Sequence, residues 1–127
     1  MESEYMKIKK EPISMRNKKI QKYLTRPEQD AIDKLKSILE RLYPGVKFKI
    51  FGSKATGKYD EESDVDILIL LPCEVDEKIR EQVIDIIFDI DLEFDTNISP
   101  LILSQKEWRN LRPLPIFYFV EKEGVLL

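Results

Sequence analysis

Apolar residues recur every three or four positions at Ile32, Leu35, Ile38, Leu39 and Leu42, which predicts a helix with one core-facing stripe. Thr25-Arg26-Pro27-Glu28 opens it as a capping box with proline in the first turn. Tyr43-Pro44-Gly45 ends it. From Val46 to Phe51 the period changes to two, and a first strand is expected. Gly52 to Ser63 reads as a turn and loop, with one helical turn around Lys54 and Ala55. Asp64 to Leu71 is a second strand, apolar on one face at Val65, Ile67, Ile69 and Leu71, and Pro72 stops it. Glu74 to about Ile90 follows as a second amphipathic helix, burying Ile79, Val83, Ile86, Ile87 and Ile90. Leu92 to Leu103 reads as a third strand, with Pro100 at a bulge or an edge. Ser104-Gln105-Lys106-Glu107 is a second capping box, opening a short helix around Trp108. Pro113 and Pro115 interrupt the chain, and Ile116 to Lys122 forms a last short helix closed by Gly124. At the other end, residues 1–12 look irregular and a basic helix is expected from Ile13 to Leu24.

Composition narrows the chemistry more than the fold. The 127 residues suffice for one domain with one core, and no run of 18 apolar residues offers a membrane span. The acidic start Met1-Glu2-Ser3-Glu4 is followed by no apolar segment of the signal-peptide kind. One cysteine, Cys73, excludes an internal disulfide, which suits the cytoplasm. Its place after Pro72 favours an inert strand-end thiol over a reactive one. The chain has no histidine, so Ser-His-Asp and Cys-His catalysis and His-containing zinc sites are excluded. Carboxylates, lysines and hydroxyls remain, which points to oxygen-ligated Mg²⁺ or Mn²⁺.

The net charge of −3 is unevenly distributed: residues 1–26 hold eight Lys/Arg against three Glu, and the remainder holds 13 against 21. A basic arm over residues 1–24 can steer towards an acidic partner or RNA, although a solvated arm is the commoner meaning of such a run. The acidic concentration Asp60, Glu61, Glu62, Asp64, Asp66 enters an otherwise apolar strand. Carboxylates there need a compensating cation.

Gly52-Ser53, ten intervening residues, and Asp64-Val65-Asp66 make the most informative constellation. A Gly-Ser turn after a strand offers backbone N–H groups and a hydroxyl to an anion. Asp64 and Asp66, two apart on a strand, point to the same side. Together they suit divalent metal bound to a triphosphate. Gly52 to Lys58 also fits most of G-x-x-x-x-G-K, but Tyr59 stands where Ser or Thr should touch Mg²⁺, and an acidic loop follows instead of a helix. That match is coincidental.

The segment Gly52-Ser53-Lys54-Ala55-Thr56-Gly57 … Ser63-Asp64-Val65-Asp66-Ile67 resembles the signature of the minimal nucleotidyltransferases, small members of the DNA polymerase β superfamily. The resemblance spans roughly Val46 to Leu103 and implies a small α/β (α+β) fold, a short mixed sheet of three to four strands backed by helices, over residues 25–127. It implies that Gly52 and Ser53 hold the β- and γ-phosphates of an NTP, in the first place ATP. Lys54 adds charge; it and Thr56 stand where the family often has arginines. Two Mg²⁺ ions, or Mn²⁺, would be held by Asp64, Asp66 and a third carboxylate. Within a strand from Leu92 to Leu103, Glu93, Asp95 and Asn97 share a face and periodicity does not choose among them. The resemblance favours Asp95, which could also help remove the acceptor proton. The implied reaction moves AMP to an acceptor hydroxyl. Single-domain members often pair with a HEPN-domain toxin, which they silence by adenylylation. The alternatives are aminoglycoside-type transfer, which usually needs an added helical domain, and an inactive binding module docking through Trp108, Phe117, Tyr118 and Phe119.

Overall fold

The computed structural model describes residues 23–57 and 63–127. The basic helix expected over 13–24 and the acidic residues Asp60, Glu61 and Glu62 fall almost wholly outside them. Helix α1 (Arg26–Leu42) begins as the sequence dictates: Thr25 Oγ1 accepts from the Glu28 amide at 3.2 Å, and Glu28 Oε1 accepts from the Thr25 amide at 2.8 Å. Its inward face buries Ala31, Ile32, Leu35 and Leu39, with Ile38 packed at the edge. Leu42, expected in that stripe, is 46% exposed, because the core contact ends one turn earlier.

Strands β1 (Lys47–Phe51), β2 (Val65–Leu71), β3 (Ile98–Ser104) and β4 (Val125–Leu126) form one mixed sheet in the order β3-β2-β1-β4. β1 runs antiparallel to β2 with Phe51 opposite Asp66. β3 runs parallel to β2 with Ser99 opposite Asp66. Between them, helix α2 (Ser53–Thr56) is a single turn, and helix α3 (Glu77–Phe94) makes the crossover that parallel pairing requires. On one face, Val65, Ile67, Ile69 and Leu71 are fully buried beneath α1 and α3, where Val83, Ile87 and Ile90 meet Leu35 and Leu39 in one core. On the other, Leu68 is buried with Trp108 of helix α4 (Gln105–Leu111) and Val120 of helix α5 (Tyr118–Glu123), and Phe117 packs against that cluster. Trp108 and Phe117 meet edge-to-face at 5.6 Å, so these two expected docking aromatics belong to a core.

The largest departure lies between α3 and β3. The helix continues four residues past Ile90, and the strand starts at Ile98 instead of Leu92. Phe94 lies four residues beyond Ile90 and packs on the core, so the helical stripe outlasts the apparent alternation. Asp95 ends the helix in the left-handed region at φ 54°, ψ 51°. Asp91 then fixes the exit: its carboxylate accepts from Thr96 Oγ1 at 2.8 Å and from the Ile98 amide at 3.2 Å. Pro100 sits on an edge strand, where its missing N–H is tolerated.

Candidate active site

Two segments meet at the end of the sheet where β1 finishes and β2 begins. Gly52 adopts φ 72°, ψ −156°, open in practice only to glycine. A Cβ there would lie 2.3 Å from Asp66 Oδ2. The turn is therefore pressed directly onto a carboxylate. Ser53 starts α2, whose N-terminus has no side-chain cap, and Gly57 closes it in the left-handed conformation at φ 82°. Thr56 Oγ1 donates back to the Ser53 carbonyl at 3.4 Å.

Lys54 does not occupy the place expected of it. Only 2% exposed, its ammonium lies 3.2 Å from Glu28 Oε1. The chain turns it inward because Lys54 and Ala55 form the buried side of α2. A charge expected on a phosphate is instead part of a buried pair joining α2 to the capping box of α1.

Asp64 is exposed just before β2, whereas Asp66 is partly buried inside the strand. Val65 between them is fully buried, so the two carboxylates share the opposite, outer side. Asn97 Nδ2 donates to Asp64 Oδ1 at 2.5 Å, and the Val65 amide donates to the Asn97 carbonyl at 3.0 Å. Burial pushes the Asp66 carboxyl above its ordinary range, the charge of Asp64 adds to the rise, and a hydrogen bond with Ser99 opposes it. An ionised pair is thus electrostatically unsatisfied, a condition that a divalent cation relieves.

Neither Glu93 nor Asp95 lies on a strand, so no shared strand face presents a third carboxylate. Asp95 is an exposed helix cap, and Glu93 lies on α3, where it pairs with Lys34 of α1. Of the three candidates Asn97 is the one that touches the pair. Ser99, which sequence reasoning passed over, is the partner of Asp66; no signal marked it, because its register follows from where β3 begins. Among the described residues no group of three or more His, Cys, Asp or Glu could hold a metal. Two carboxylates flanked by an amide and a hydroxyl nevertheless fit Mg²⁺, which commonly takes one or two protein carboxylates and completes its shell with water and substrate phosphates.

The family described as "Nucleotidyltransferase domain" matches residues 32–122. A relative in Methanocaldococcus jannaschii, provisionally named protein adenylyltransferase MJ0141, is 47% identical over 53 residues, which are 42% of this chain and 54% of that protein. The chain thus spans about half the length of this curated relative. Among solved structures, a toxin–antitoxin crystal structure with AMP-PNP aligns over 80% of this chain and 72% of its own, at a TM-score of 0.52 and 20% identity. A mutant of the toxin–antitoxin MntA-HpeT aligns over 76% of this chain and 69% of its own, at 0.50 and 19%. At such identities these structures speak for the fold alone. No helix among the described residues is long and apolar enough to cross a membrane.

Proposed function

The chain belongs to the nucleotidyltransferase domain family, and from that premise we propose that it transfers AMP from Mg²⁺-ATP to a hydroxyl of a protein acceptor. The observation that carries this reading is the contact of Gly52 with Asp66, which sets an anion-binding turn directly against a carboxylate pair. Asp64 and Asp66 would hold Mg²⁺, with Asn97 beside them in the place considered for Asp95. The bound metal would neutralise phosphate charge and lower the pKa of the acceptor hydroxyl. Gly52 and Ser53 position the β- and γ-phosphates through backbone N–H groups and the Ser53 hydroxyl. Ser99 orients Asp66, and the Asn97 amide orients Asp64. Lys54 serves by anchoring the turn to Glu28.

A protein acceptor is supported by the relative named as a protein adenylyltransferase and by the likeness in fold to a toxin–antitoxin structure holding AMP-PNP. A HEPN-domain toxin is the acceptor that the family resemblance favours. The test is transfer of label from α-³²P-ATP to such a toxin in Mg²⁺, with pyrophosphate release measured in parallel. Stoichiometric label that vanishes with Asp64→Asn/Asp66→Asn is the expected result. Absence of both label and pyrophosphate, despite tight Mg²⁺-ATP binding, would leave a nucleotide-binding module, the reading that the missing third carboxylate among the described residues favours.

A further inference from the structure

Helix α3 carries two parallel rows on the side away from the core. Ile84, Phe88 and Leu92, spaced four apart, are 46%, 61% and 69% exposed. Alongside them Glu81, Asp85 and Asp89, also four apart, are exposed. The opposite side of the helix, at Val83, Ile87 and Ile90, is already committed to the core. Each row spans about 12 Å along the axis.

This surface carries a cost in the isolated chain. Glu81, Asp85 and Asp89 repel one another at i,i+4 spacing. Among the described residues no ion pair engages any of them. Three large apolar side chains in water add to the mismatch. A second copy of this chain would set acid against acid.

We propose that this face of α3 docks a basic amphipathic helix of a protein partner, its apolar residues on Ile84, Phe88 and Leu92 and its lysines or arginines against Glu81, Asp85 and Asp89. The row ends at Leu92, on a helix that packs against the sheet face opposite the carboxylate pair. Asp91, adjacent to Leu92, bonds the Ile98 amide, and Asn97 just before it bonds Asp64. The docking does not rest on the transfer reading above.

The probe is a pair of fourteen-residue helical peptides with one apolar pattern, Leu–Lys and Leu–Glu, titrated into the ¹⁵N-labelled full chain. The expected result is micromolar binding of the Leu–Lys peptide, with shifts concentrated between residues 81 and 92. Binding should weaken at least tenfold at 1 M salt, in Phe88→Ser and in Asp85→Lys/Asp89→Lys. These side chains are exposed, so the variants should fold. Equal binding of both peptides, no binding, or shifts centred on Leu114 to Phe119 would overturn the proposal. So would a dimer in sedimentation that Phe88→Ser dissolves, because the occupant would then be a second copy. Mg²⁺-ATP thermal shifts on the same variants should match the unaltered chain. Absence of peptide binding to the unaltered chain with its nucleotide shift intact rejects the docking alone, whereas loss of the nucleotide shift in the unaltered chain rejects the transfer reading alone.

Discussion

Gly52 is the residue on which the site depends most, because a methyl group there would occupy the space of Asp66 Oδ2. Gly52→Ala should destabilise the fold by about 1–3 kcal/mol through its positive φ and displace the Asp66 carboxylate. Denaturant melts and Mg²⁺-ATP binding of the variant check both effects. Asp66 supplies a second expectation. Its folded pKa is raised above the ordinary 3.8, so without metal the folded state binds more protons than the unfolded one, and this group's stability is lost as pH rises from 3.8 through the folded value. Asp66→Asn should therefore be at least as stable as the unaltered chain at pH 7 without metal. Its advantage should disappear near pH 3. Melting curves from pH 3 to 8 in EDTA check the sign; an Asn variant less stable at pH 7 would mean that ionised Asp66 is held by something stronger than Ser99.

At the level of elements, the small helix α2 is fastened to α1 through a buried charge pair. Lys54→Met removes the cation and leaves Glu28 buried at the cap, and should cost roughly 3–5 kcal/mol. A lysine serving an exposed phosphate site would instead lower nucleotide affinity and leave the melting curve unchanged, so melting and Mg²⁺-ATP affinity measured together tell the two roles apart. Lys54 also shows where sequence reading reaches its limit. The capping boxes at Thr25 and Ser104, the stripes of α1 and α3 and the alternation of β2 were legible, because each is a local pattern with its own period. The direction in which Lys54 turns was not, because Glu28 lies 26 residues away. The exit from α3 was misread for a related reason. Glu93, Asp95 and Asn97 alternate with apolar neighbours over a stretch where a helix ending at Phe94 gives nearly the same pattern. Placing the start of β3 six residues early put Asp95 on a strand face and hid Ser99. β4, at two residues, is too short for any period to declare it.

At the scale of the whole molecule, the sheet brings four distant pieces of sequence to one end. The β1–β2 pairing sets Phe51 opposite Asp66, so the Gly52 turn arrives beside the carboxylates. The parallel β2–β3 register delivers Ser99 to Asp66, and Asn97 to Asp64 just before it. The Gly-Ser turn and the Asp-x-Asp pair were readable from spacing alone; their companions on β3 needed the register. Helices α1 and α3 hold that register from one face, and the Trp108 cluster holds it from the other.

The central claim is that Gly52, Ser53, Asp64 and Asp66 form one site for a metal-bound nucleoside triphosphate. Calorimetric titration of ATP into the full chain, with Mg²⁺ and with EDTA, tests it most directly when repeated on Asp64→Asn/Asp66→Asn and on Asp95→Asn. Saturable binding that requires Mg²⁺, falls at least tenfold in the double variant and persists in Asp95→Asn is the predicted result. Binding that ignores Mg²⁺, or that survives loss of both Asp64 and Asp66, would place the nucleotide elsewhere and contradict the account.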